Sequence, residues 1–149
     1  MNLNRLVVLS TLAMMAISTH TWAAEEPTGF TIEGTPGEQI LTDAASSLGW
    51  QKVHKAELNW DQAKAYCDDL KYGGKDDWRL PERGELMTIV KYRKSNPASN
   101  FPGMPAKYFW SHSTSAEASG FAWGVNFRNG SLNNYDKAST QLVRCVRKI

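Results

Sequence analysis

The sequence predicts an α+β fold in which two helices precede a run of strands. Two stretches after residue 58 carry apolar residues at helical spacing. The last third alternates aromatic and small residues in strand fashion. Between them, residues 95–107 hold three prolines, one glycine and two asparagines, which marks a long loop. With 149 residues and 42% hydrophobic content, the chain fits one globular domain.

The first 23 residues read as a secretory signal peptide. Asn4-Arg5 is a short positive start, Leu6 to Ile17 is an apolar run, and Thr21 and Ala23 supply the small residues at −3 and −1 of a cut after Ala23. The run is too short for a spanning helix, which needs about 20 apolar residues. Export, to the periplasm or beyond the cell, is therefore expected, with no membrane span after cleavage. Residues 24–57 read as a leader arm and first strand or strands, and residues 58–149 as the main body of a single domain.

Asn59-Trp60-Asp61-Gln62 opens the first helix, with Asn59 as cap and Gln62 completing a capping box. Trp60, Ala63, Cys67 and Leu70 form its inward stripe, and Gly73-Gly74 is expected to end it. The second helix begins after Pro81, with Leu86, Ile89, Val90 and Arg93 inward and Lys91-Tyr92-Arg93-Lys94 at its end, where positive charge suits the dipole; that run, or Arg144, Arg147 and Lys148 at the C-terminus, could also meet sulfate groups. Tyr108 to Ser111 is a short aromatic strand. Phe121, Trp123, Val125 and Phe127 alternate with smaller or polar residues, Asn129-Gly130 signals a two-residue hairpin, and Ser131 to Tyr135 runs back. Gln141 to Arg147 forms the last strand.

Two cysteines in an exported chain point to one disulfide, tying the first helix to the last strand through Cys67 and Cys145. The alternative, a pair of reactive or metal-binding thiols, lacks both a Cys-x-x-Cys and a neighbouring histidine. Seventeen basic residues against 15 acidic ones argue against a nucleic-acid binder.

The string Trp60, Ala63, Tyr66-Cys67, Leu70, Gly74, Asp77-Trp78-Arg79-Leu80-Pro81, Glu85-Leu86 resembles the front half of the Lcl C-terminal-like domain family. Tyr108-Phe109-Trp110-Ser111, Ala122-Trp123, Val125, Phe127, Gly130 and Val143-Arg144-Cys145-Val146-Arg147 resemble its back half. The resemblance implies a C-type-lectin-like fold, with two helices packed on a small, mainly antiparallel twisted sheet and long loops. It also implies an exported bacterial protein and a bridge from first helix to last strand. The family's best-known member is a collagen-like adhesin whose domain binds sulfated polysaccharides. One departure is Glu82, which stands where the family usually has a small capping residue after Leu-Pro.

On this reading Asp77-Trp78-Arg79-Leu80-Pro81 is structural, with Trp78 and Leu80 in the core and the two charges satisfying each other or the backbone. Trp60, Trp110 and Trp123 are expected in the core as well. Recognition is expected in the loops Ser95 to Lys107 and His112 to Gly120. The ligand-facing candidates are Asn100, Phe101, His112, Glu117, Asn133, Tyr135, Arg144 and Arg147. Asn133 to Asp136 is too poor in carboxylates for calcium, and no Glu-Pro-Asn or Trp-Asn-Asp triplet occurs, so no metal and no cofactor is expected. The related formylglycine-generating oxidases need a cysteine pair that here is committed to the staple. No nucleophile elbow, His-Glu-x-x-His or phosphate loop is present. The expected function is a non-catalytic module binding a polysaccharide or a surface protein. The alternatives are a subunit of an envelope assembly and, less favoured, an enzyme.

Overall fold

The computed structural model describes residues 29–149, and the expected signal peptide lies outside the described residues. The fold is α+β. Strands β1 (Thr31–Glu33), β2 (Ile40–Asp43) and β3 (Leu48–Gln51) join β9 (Val146–Lys148) in an antiparallel four-stranded sheet. Strands β4 (Lys55–Leu58), β8 (Gln141–Val143), β5 (Tyr108–Thr114), β6 (Phe121–Asn126) and β7 (Ser131–Asp136) form a second sheet in that order. All its pairings are antiparallel except β5 with β8. Helices α1 (Trp60–Asp68) and α2 (Arg83–Thr88) complete the fold.

The expected last strand is split between the sheets. β8 belongs to one and β9 to the other, and Arg144-Cys145 makes the step between them. Every residue from Leu142 to Val146 is buried, because this segment is enclosed on both sides and strand alternation no longer applies. Cys145 bonds Cys67 of α1 with a Cα–Cα separation of 5.5 Å. The staple therefore joins the first helix to the crossover that couples both sheets.

α1 starts as its sequence dictates. Asn59 Oδ1 accepts from the Gln62 backbone N–H at 2.9 Å, and Gln62 Oε1 accepts from the Asn59 N–H at 3.2 Å. Trp60, Ala63 and Cys67 are buried. The helix ends at Asp68, before the glycines expected to stop it. Gly73 and Gly74 instead turn the chain between Tyr72 and Lys75, both at positive φ. A Cβ on Gly73 would lie 2.7 Å from Ile40 Cδ1, so the turn packs directly on β2.

The following segment enters the core through Trp78 and Leu80, while Arg79 exchanges two backbone hydrogen bonds with Val146 (3.0 and 2.9 Å). Asp77 and Arg79 do not pair with each other. Asp77 receives two hydrogen bonds from Arg147, at 2.7 and 2.9 Å, and Arg79 grips Glu85. α2 is shorter than expected: it ends at Thr88, Ile89 and Val90 are buried beyond it, and Arg93 is exposed. The cations of Lys91 to Lys94 thus lie outside the helix, and its dipole does not account for them.

The β6–β7 connection also differs from expectation. It spans four residues, Phe127 to Gly130, because Phe127 leaves the strand to fill the core beside Phe109. Along β6 the buried residues are Ala122, Gly124, Val125 and Asn126, whereas Phe121 is exposed and Trp123 half-buried. Tyr135 lies across the Gly124 side of the sheet and the main core beneath Val125, so both faces are covered there.

Candidate functional site: a basic hairpin tip

The β6–β7 tip rests against the loop that follows α2. The Asn96 N–H donates to the Arg128 carbonyl at 2.9 Å, the Ala98 N–H to the Phe127 carbonyl at 2.7 Å, and the Lys91 N–H to the Ala98 carbonyl at 2.9 Å. Gly130, at φ +83°, fits where a Cβ would stand 2.7 Å from Val90 Cγ1 and 3.2 Å from the Tyr92 ring. Backbone hydrogen bonds and close packing therefore hold two loops together as one platform.

That platform presents Lys91, Arg93, Lys94 and Arg128 to solvent, around Tyr92, which is 70% exposed. None of the four cations forms an ion pair with another described residue. The cause is visible in composition: residues 86–116 and 118–135 contain no Asp or Glu. A net charge near zero hides this, since most of the acidic residues of the fold lie before residue 86. A cation cluster on a rigid platform, with no internal counter-charge, suits an anionic polymer.

The sequence-predicted ligand residues are scattered by the structure. Phe101 and Arg144 are buried, which corrects their expected role as ligand contacts. The loop Ser95 to Lys107 turns inward and seats Ala98, Ser99, Phe101 and Met104 in the core. The Ser99 hydroxyl bonds the Ile89 carbonyl at 2.6 Å, which fixes the loop to the end of α2. Asn100 is only half-exposed, with its Oδ1 buried and without a hydrogen-bond partner. Arg144 Nη1 donates to the carbonyls of Gln51 and Lys52, and burial pushes the guanidinium pKa down to about 9, still protonated at neutral pH. Arg147 is committed to Asp77.

His112 continues β5 and places Nδ1 3.0 Å from Glu82 Oε1, with its ring 5.9 Å from Trp60. Glu117 lines a cleft with Arg83 and Trp123, described below. Asn133 is exposed on β7. Tyr135 stacks edge-on against Tyr108 at 5.3 Å and Trp110 at 6.2 Å, and burial pushes its hydroxyl up to about 12. Among the described residues no group of three or more His, Cys, Asp or Glu side chains converges as a metal site. No described helix is long and apolar enough to cross a membrane.

Lys91 to Lys94 are visible in the sequence both as helix-end charge and as groups able to meet sulfate, whereas Arg128 carries no such local signal. The acid-free runs on either side of Glu117 were the signal that would have joined them.

Together these features define a disulfide-stapled α+β module with a charged, solvent-facing loop platform. The chain belongs to the Lcl C-terminal domain family, whose model matches residues 39–147. The match thus includes β2 and β3, which pair with each other and, through β3, with β9. No curated protein matches the chain.

Proposed function

We propose that this protein is an exported, non-catalytic binding module of C-type-lectin-like form that holds an anionic, sulfate-bearing polysaccharide on the β6–β7 platform. The observation that carries this reading is the unpaired cluster Lys91, Arg93, Lys94 and Arg128. Guanidinium groups bond sulfate oxygens in a planar, two-pronged way, and lysines add charge without that geometry. Tyr92 adds an exposed aromatic face beside them. The resemblance to a family member that binds sulfated polysaccharides points to the same ligand class, and the staple suits an oxidising compartment.

The test is retention on immobilised dextran sulfate, with neutral dextran as control. Retention on the sulfated matrix at low salt, released as salt rises, is expected, because the Debye length falls from about 10 Å at 0.1 M to about 3 Å at 1 M. Equal behaviour on the two matrices refutes the reading.

A further inference from the structure

Trp50, Trp60, Trp78 and Trp110 are all buried, but Trp123 is left half-exposed. It forms one wall of an open cleft of about 510 Å³, lined also by Arg83, Thr114, Ser115, Glu117 and Asn134. That volume lies within the range of small-molecule sites, about 300–1,000 Å³. Trp123 and Asn134 are direct partners across β6 and β7, so their side chains share one face. The Arg83 guanidinium sits 5.1 Å from the Trp123 ring centre, and the Arg83 backbone N–H donates to Ser113 Oγ at 2.9 Å.

Neither Arg83 nor Glu117 forms an ion pair among the described residues. The cleft therefore offers a cation that pairs with no carboxylate and lies over the indole, one unpaired carboxylate, an amide, hydroxyls and the part of the Trp123 indole that Arg83 leaves uncovered. An anionic ligand would be opposed by Glu117 and a cationic one by Arg83. A hydroxyl both donates and accepts, so a polyhydroxy ring can bond guanidinium, carboxylate and amide together. Its C–H face can lie against an aromatic ring. We infer that this cleft binds a single uncharged pyranose ring, at a site separate from the polyanion platform. Trp123 lies near the start of β6 and Arg128 beyond its end, about 16 Å of extended chain apart.

The experiment is titration of the whole protein with methyl glucoside, galactoside, mannoside and N-acetylglucosaminide, followed by ligand-observed NMR, a readout that Trp123→Ala does not remove. At least one is expected to give saturable binding with a Kd on the order of 1 mM, as one small ring with few anchoring groups should. Added salt should leave it unchanged, because no net charge is matched. Trp123→Ala and Asn134→Ala should each weaken it by about tenfold or more, while dextran sulfate retention stays as in the wild type. Asn134 is exposed, so its truncation tests the cleft without disturbing the core. Absence of saturation with all four glycosides, undiminished binding in both variants, or saturation only by a zwitterionic amino acid would overturn the inference.

Discussion

Arg144 stacks its guanidinium 4.1 Å from the ring centre of Phe101, inside the core and away from any described carboxylate. The charge is offset by the Gln51 and Lys52 carbonyls and by the faces of Phe101 and Phe109. Arg144→Met keeps much of the volume but leaves those two carbonyls unpaired, which should cost about 1–3 kcal/mol. Arg144→Ala adds a cavity and should cost more. Urea unfolding ranks the two. A Met variant as stable as wild type would show that the guanidinium contributes nothing net, as happens for some buried charges.

Reducing the Cys67–Cys145 bridge reopens a loop of 78 residues. The chain-entropy model assigns about 4.5 kcal/mol to its closure. A Cys67→Ala/Cys145→Ala variant should therefore lose several kcal/mol in urea unfolding without change of fold class. A loss under about 1 kcal/mol would mean that the two sheets and α1 hold together without the staple.

Arg79 and Glu85 form a two-pronged ion pair, at 2.7 and 2.5 Å, that ties the segment bridged to β9 to the first turn of α2. Burial alone would raise the Glu85 carboxyl. The Arg79 hydrogen bonds, the Glu82 N–H and the Arg79 charge outweigh burial and hold it below its ordinary 4.5. Hydrogen bonding to Arg147 likewise holds Asp77 below 3.8. Carboxyls depressed in the folded state bind fewer protons there than in the unfolded chain, so their stabilisation is complete above their ordinary values. It is lost as pH falls through the depressed ones. Stability measured from pH 6 downward should fall below about pH 4.5, and Glu85→Gln should flatten that decline. A decline of equal steepness in the variant would contradict the role of this pair.

Gly130 supports the platform through its positive φ and its contact with Val90. Gly130→Ala should cost about 1–3 kcal/mol through strain and crowding, and should weaken polyanion binding although no charge is lost. Calorimetric melting and dextran sulfate retention check the two effects. Unchanged retention would show that the cations need no rigid support.

Much of the scaffold was legible because local chemistry decided it. The Asn59–Gln62 box and the inward Trp60, Ala63 and Cys67 follow from helix geometry alone, and Cys67 on that stripe found its partner. Trp78 and Leu80 were readable as core for a similar reason. Phe101 and Arg144 were not, because their burial depends on a loop folding inward and a strand changing sheets, which no short window records. Gly73-Gly74 carried a turn signal that two structures could use, and only contact with Ile40 distinguished them. The binding platform was half legible. Lys91 to Lys94 were conspicuous, but the short α2 and the approach of Arg128 are tertiary facts.

The most direct measurement is the Kd for soluble dextran sulfate as a function of sodium chloride, for the wild type and an Arg93→Ala/Lys94→Ala/Arg128→Ala variant. All three positions are exposed and outside the helices and strands, so the fold should be retained. Wild-type affinity should fall steeply with salt, and the variant should bind about tenfold or more weakly with a shallower dependence. The same affinity and the same salt dependence in both proteins would contradict the assignment of this platform as the binding face.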